Sequence, residues 1–393
     1  MGQTLALPAL GVAARAREAA TPWYVWNFAA AVLSVTMGGV WDISWHLSIG
    51  RDSFWTPAHM LIYLCGILGG LGSAALILGT TFGRMPQLRA SSVAMWGFRG
   101  PLGAFVAAWG ATAMLVSAPF DDWWHSAYGL DVKVLSPPHV VLILGILAIK
   151  FGGLLIILGE MNRATAETRA RLRWFFIFVG ALLARDMVGV FSLEFMTRTM
   201  QHSARFFLML AITLPLGHFA VARAANLKWG LALVSGVSTV ISLAFLWILP
   251  LFPAEPKLGP VFREITHFIP PGGFPLLVTP PLLLADWMWQ RLGKRNDWAL
   301  ASILGLTFLA VFAAVQWPFA EFLQSPAARN WFFGSHYMGF FVPAQSDMAR
   351  YVFSAIETSP AQFWSRMGWA AVAMVLSARA GLGLGNWMQR IQR

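Results

Sequence analysis

Apolar residues in this chain come in long unbroken runs, and polar residues gather in the gaps between them. A helix needs about 20 predominantly apolar residues to cross a bilayer. Ten segments meet that length, at approximately 24–46, 57–80, 100–123, 138–159, 172–194, 204–222, 229–251, 273–291, 298–320 and 364–385. Two connections are longer than the rest, roughly 252–272 and 321–363, and both are rich in Pro, aromatic and polar residues. They are expected to lie as interfacial lids or short helices. The predicted fold is all-α, a polytopic membrane protein of about ten transmembrane helices. Three regions follow: a cytoplasmic N-terminal tail at 1–23, a repeat bundle at 24–160, and an additional transmembrane bundle at 161–393 that carries both long connections.

Composition supports the membrane reading. Of the 393 residues, 58% are hydrophobic and only 11% are charged, against roughly 25% charged in an ordinary soluble domain. The 20 tryptophans suit aromatic belts at two membrane interfaces. The net charge of +11 does not indicate nucleic acid, because Lys and Arg sit in short loops, where they set orientation and meet anionic headgroups. Cys65 is the single cysteine, so no intramolecular disulfide or thiolate cluster is available. The first twenty residues carry Arg15 and Arg17 and lack the apolar core and cleavage site of a signal peptide.

The basic loops alternate. Arg84, Arg89 and Arg99, then Arg163, Arg169, Arg171 and Arg173, then Arg291, Lys294 and Arg295 mark one face. Arg51 and Lys133 stand alone in the loops of the other. By the positive-inside rule both termini are cytoplasmic. Seven of the eight histidines (His46, His59, His125, His139, His202, His267 and His336) then fall toward the outer face, and His218 toward the inner. An outer-side polar or metal site is the expectation.

Two of those histidine-bearing stretches repeat each other. WDISWHLSIGRDSFWTPAH, Trp41 to His59, aligns with FDDWWHSAYGLDVKVLSPPH, Phe120 to His139, after one inserted residue. Asp42 matches Asp121, His46 matches His125, Gly50 matches Gly129, and His59 matches His139. Each copy ends one outward helix and starts one inward helix, so the internal repeat is parallel. Asp42 and His46, like Asp121 and His125, are four apart and share a helix face. His59 and His139 each follow a proline near the start of the next helix, where proline is well placed. Each hairpin thus offers one carboxylate and two imidazoles, a donor set that suits Cu, Fe or Zn. Asp52 and Asp131 are read as helix caps or as partners of Arg51 and Lys133. Trp41, Trp45, Trp55, Trp123 and Trp124 are read either as an interfacial belt or as walls of a chamber around the site.

At these residues the sequence resembles the C subunit of particulate methane monooxygenase and ammonia monooxygenase. That family's pattern, approximately Asp-x-Ser-Trp-His-x4-Arg-Asp-x2-Phe-Thr-Pro-Ser-His, is matched by Asp42, Ser44, Trp45, His46, Arg51, Asp52, Thr56, Pro57 and His59. Trp55 replaces the Phe and Ala58 the Ser. The second copy, Asp121-Asp122-Trp123-Trp124-His125, is similar to the family's Asn-Glu-Trp-Gly-His segment, with an added negative charge. The resemblance covers roughly a third of the chain, about residues 24–160. It implies one or two membrane copper sites: Asp42, His46 and His59 at one, and Asp121 and His125 at a neighbour that shares His59. The internal symmetry adds His139. It further implies O2-dependent hydroxylation of a small apolar substrate or ammonia in a bacterial inner or intracytoplasmic membrane. A homo-oligomer or partner subunits are both open.

Other polar residues inside apolar segments are Lys150, Arg185 and Asp186. They are read as a buried structural group or a proton path, with Lys150 a candidate partner for Asp186. Glu194 and His202 are weaker candidates for an extension of the metal site. GGLG at Gly69 to Gly72 is read as a close-packing helix face. No Walker loop, hydrolase elbow or soluble domain is present in the sequence. Two other function classes remain open: a haem- or metal-binding electron-transfer protein, and a metal or small-molecule transporter.

Overall fold

The structure is a computed structural model that describes residues 20–50, 53–129, 135–194, 200–257, 265–271, 273–293, 295–334 and 356–392. Its helices are α1 (Trp23–Ser48), α2 (Pro57–Thr81), the short α3 (Pro86–Arg89), α4 (Leu102–Tyr128), α5 (Pro137–Arg163), α6 (Ala166–Glu194), α7 (Ala204–Ala225), α8 (Gly230–Ile248), α9 (Thr279–Leu292), α10 (Asp297–Gln324) and α11 (Pro360–Met388). A two-stranded antiparallel hairpin, β1 (Val93–Met95) and β2 (Phe98–Gly100), precedes α4.

All ten segments expected to be helical contain a helix. Among the described residues, eight helices are long and apolar enough to cross a membrane: α1, α2, α4, α5, α7, α8 with its 3-10 extension to Leu251, α10 and α11. This makes an integral membrane protein; the other two of the ten expected segments lie in α6 and α9. The 273–291 segment forms only the 14 residues of α9. At 1.5 Å per residue that is roughly 21 Å, short of the ~30 Å hydrocarbon core. The 172–194 segment lies in α6, which carries Arg169, Arg171, Arg173, Arg185 and Asp186 and is not among the eight. Large apolar side chains are exposed on the outside of the spans, including Val240, Leu306, Trp369 and Leu376. A soluble helix would place polar residues there.

Local chemistry sets the helix ends. Pro57 and Pro137 open α2 and α5, where a missing N–H costs nothing because that donor has no intrahelical partner. Gly50 and Gly129, with φ of 87° and 85°, close α1 and α4 in a backbone region that glycine enters freely. Asn296 caps α10 by accepting the Ala299 N–H at 2.7 Å. Glu357 ties two helix starts together, accepting from Ser203 Oγ at 3.1 Å, the Arg205 N–H at 3.2 Å and Arg366 Nη1 at 2.9 Å.

The helices seat the two hairpins side by side. α1 packs on α2, α4 on α5, and α2 on α4. Ala31, Val35, Ile62, Cys65, Met114 and Ile149 form a buried cluster among all four. The α4–α5 seam is built on small residues: a Cβ on Gly110 would lie 2.6 Å from the Gly145 carbonyl, and one on Gly145 would lie 2.8 Å from that of Gly110. Such close backbone approach is how membrane helices gain packing without help from water. Gly69 also belongs to a tight seam, where a Cβ would meet Ile149 at 2.9 Å. A second core, centred on Phe207, Phe308, Phe312 and Met374, joins α7, α9, α10 and α11.

Candidate functional site

The end of α1 is held by a distant piece of chain. Ser44 Oγ donates to the Ile269 carbonyl at 2.7 Å, and the Ile269 N–H donates to Ser48 Oγ at 2.8 Å. Lys257 N–H reaches the Ile49 carbonyl at 2.9 Å. Phe268 packs against Trp41 and Trp45. Part of the long 252–272 connection therefore lies over α1, next to the turn that carries Asp42 and His46. Within the other long connection, His336 lies outside the described residues. So do Arg51, Asp52, Asp131, Lys133 and the side chain of Glu194.

Each hairpin gathers its predicted trio. His59 Nε2 lies 3.0 Å from Asp42 Oδ1, and His46 Nε2 lies 3.8 Å from Asp42 Oδ2. In the second hairpin His139 Nε2 lies 3.5 Å from Asp121 Oδ1, and His125 Nδ1 lies 3.6 Å from Asp121 Oδ2. Asp121 thus pairs within its own hairpin. His125 turns a different ring nitrogen toward its carboxylate than His46 does. The rings of His125 and His139 stand edge to face at 6.4 Å.

The orientation of His59 carries chemical information. Its Nδ1 lies 2.9 Å from the Ser53 carbonyl. A carbonyl only accepts, so Nδ1 bears the hydrogen and a neutral ring leaves Nε2 with a lone pair. That lone pair faces Asp42 Oδ1, another acceptor. Asp42 Oδ1 and Asp121 Oδ1 are buried, and neither receives an aligned hydrogen bond among the described residues; the 3.0 Å approach of His59 is close without being aligned. Two acceptors in this position call for a positive particle, either a proton on the imidazole or a metal ion bound by both. An imidazole whose second nitrogen donates to a carbonyl is the common arrangement of a metal ligand.

The donor atoms fit a first-row metal in type and spacing. Two ligands of one such ion, each roughly 2.0–2.2 Å from it, lie about 3.0–3.5 Å apart. The Asp42–His59 and Asp121–His139 separations fall in that range, while the second imidazole of each trio stands slightly farther out. Among the described residues no three His, Cys, Asp or Glu side chains already converge as a metal-holding group. Each hairpin instead closes on itself through carboxylate–imidazole contacts.

Both trios line one cavity of about 1460 Å³, bounded by α1, α2, α4, α5, α6, α7, α8 and the 271–278 segment. Its walls are mostly apolar and include Phe54, Trp96 and Trp109. The five tryptophans considered as chamber walls are absent from this lining. Trp41 and Trp45 face Phe268, while Trp55 and Trp123 are exposed, which suits the interfacial belt.

The cavity also reaches the intramembrane charges. Lys150 is fully buried; its Nζ donates to Thr36 Oγ1 at 2.8 Å and pairs with Asp186. Asp186 also meets Arg185 Nη1 at 3.4 Å. The partnership of Lys150 with Asp186 is therefore present. Thr36 and Ser242, which complete this cluster, carry no sequence signal beyond being hydroxyls in apolar runs. His202 stacks on Trp317 and bonds its carbonyl at 3.1 Å. His267 contacts Thr266. His218 lines the cavity and bonds the Leu214 carbonyl one turn back, at 2.9 Å.

No family model matches the chain, and no curated protein or solved structure compared with it matches either.

Proposed function

We propose that this protein is a copper-dependent membrane monooxygenase, or the metal-bearing subunit of one, that uses O2 to hydroxylate a small apolar substrate or ammonia. The observation that carries this reading is the pair of Asp–His–His trios opening onto one apolar-walled cavity. Asp42, His46 and His59 would hold one ion, and Asp121, His125 and His139 a second. The choice of copper rests on the resemblance around Trp41 to His59 together with a nitrogen- and oxygen-donor set that lacks a thiolate. When bound, copper supplies the activation of O2. The chain's own residues do the rest. The Ser53 carbonyl fixes the His59 tautomer and aims Nε2 at the shared position. The apolar walls admit a lipid-soluble substrate and keep bulk water away from the reacting atoms. In this reading the hairpins form a parallel internal repeat, α6 and α9 complete ten membrane-embedded helices, both termini are cytoplasmic, and the trios face outward.

Metal analysis of purified protein tests the proposal. One or two coppers per chain are expected, with the first hairpin's share lost in His59→Ala. Protein that stays copper-free in excess copper, yet retains oxygenase activity, would sink it. One observation favours a second reading, an ion-coupled transporter: an ionic cluster around Lys150 and Asp186 faces the same cavity, and intramembrane charges commonly mark ion pathways. Metal or proton flux into vesicles, abolished by Asp186→Asn, would replace the enzymatic reading with that one. A Soret band in the purified protein would instead favour haem.

A further inference from the structure

The ionic cluster is unbalanced. Asp186 is its one carboxylate among the described residues, and it faces two cations, Lys150 and Arg185. Lys150 is fully buried and committed to Asp186 and Thr36. Arg185 is different. Its side chain remains about one-fifth exposed, at 22%, and lines the cavity. Its contacts are long: Nη1 to Asp186 at 3.4 Å and Nε to Ser242 Oγ at 3.5 Å. A guanidinium has five N–H donors in a rigid fork, so these two long contacts leave most of its donor capacity for a further acceptor. The cluster carries a net +1 charge, and that charge belongs in effect to Arg185.

Depth separates this cation from the carboxylates of the mouth. The Lys150 ammonium meets Thr36 Oγ1, six residues before Asp42 on α1, which places the cluster about 9 Å deeper than the mouth carboxylate. The cavity is therefore bipolar. Asp42 and Asp121 make its mouth anionic, and Arg185 makes its interior cationic. Between the poles the walls include Ile62, Leu142 and Ile143.

We propose that Arg185 binds the carboxylate of a single-chain amphiphile whose apolar chain lies along the cavity toward the mouth. A planar guanidinium fork matches a carboxylate in two-point geometry. The volume of about 1460 Å³ exceeds the roughly 300–1,000 Å³ of ordinary small-molecule pockets, which leaves room for an extended chain. A phospholipid keeps its headgroup at the interface, far from a cation at this depth. The proposal does not depend on metal in the hairpins.

The test is a binding titration read by tryptophan fluorescence, with protein in zwitterionic nanodiscs at pH 8. The probes are dodecanoate, dodecanol and dodecyltrimethylammonium. Wild-type protein is expected to bind dodecanoate at least ~10-fold more tightly than dodecanol, and the cationic probe more weakly than either. Arg185→Gln is expected to remove the preference for dodecanoate over dodecanol while leaving dodecanol binding unchanged. If that variant does not fold, Arg185→Lys serves, and the preference should fall severalfold as the fork is lost. Equal binding of dodecanoate and dodecanol to wild type overturns the proposal, as does a preference that survives either substitution. Displacement of dodecanoate by phosphatidylglycerol, but not by phosphatidylcholine, also overturns it in favour of a lipid-headgroup site.

Discussion

The two Asp–His hairpins carry the same three side chains but are supported differently. At the first, Ser44 and Ser48 are buried and hydrogen-bonded to Ile269, and Phe268 covers Trp41 and Trp45. At the second, the position matching Ser44 is Trp123, which is exposed, and the position matching Ser48 is Ala127. Asp42 is also less exposed than Asp121, at 22% against 32%. Identical side chains therefore sit in a closed setting and an open one. The arrangement of a site depends on what holds its backbone as well as on its ligands, and only the first hairpin has that hold from within the described chain.

The largest effect that tests this contrast comes from the ligands themselves. Asp42→Asn with His59→Ala is expected to weaken binding at the first hairpin by more than the roughly 10–100-fold typical of supporting residues. Asp121→Asn with His139→Ala should leave that site's affinity within about threefold, since each carboxylate meets the imidazoles of its own hairpin. Competition titration with a copper chelator separates the two. Loss of both sites in both variants would show one joint centre and erase the contrast.

Next in size is the clamp outside both hairpins. Burial pushes the Glu357 carboxyl up, but hydrogen bonds from Arg366, Ser203 and the Arg205 N–H outweigh it and hold its pKa below the usual value. A depressed carboxylate stabilises the fold above its ordinary pKa and loses that contribution as pH falls through the folded value. Glu357→Gln should therefore cost roughly 1.5–3 kcal/mol at neutral pH, and the gap to wild type should close as pH drops below about 4.5. Thermal melts of both proteins from pH 7 to pH 3 check this, with hairpin metal affinity unchanged.

Packing comes third. Gly110→Leu drives a side chain into the Gly145 backbone and should cost about 1–3 kcal/mol, the usual range for overpacking. Gly39→Ala meets nothing within 4 Å and should shift the melting temperature hardly at all. The smallest effect is the most direct test of support. Ser44→Ala removes one hydrogen bond in a buried place and should cost about 1 kcal/mol. Trp123→Ser, at the matching position, should stay within roughly 0.5 kcal/mol. Equal losses would mean that both hairpins are braced.

Much of this architecture is legible in hydropathy and punctuation. Pro57, Pro137, Gly50 and Gly129 mark helix ends because proline and glycine act through their own backbone geometry. The trios are legible because a four-residue spacing fixes a shared helix face wherever the helix packs. α9 starts later than the predicted 273–291 segment because hydropathy counts apolar residues regardless of conformation. Pro271, Gly273 and Pro275 break the run before Thr279, and Pro280 and Pro281 then start the helix. The grip of Ile269 on α1 was not legible, since backbone groups 225 residues away in the chain leave no periodic trace. The Lys150–Asp186 pair was legible as chemistry, but not the imbalance that Arg185 adds, which depends on where the side chains end.

That grip also bears on the order of assembly. The second hairpin's Asp121, His125 and His139 pair within their own hairpin, and can do so once α4 and α5 have formed. The first hairpin's mouth waits for Phe268 and Ile269, the latter synthesised 221 residues after Ser48. Long-range closure of this kind comes late in folding. During synthesis the protein therefore passes through a stage in which its first Asp–His trio lacks the cover of Phe268 and Ile269, while the contacts within its second trio can already be in place.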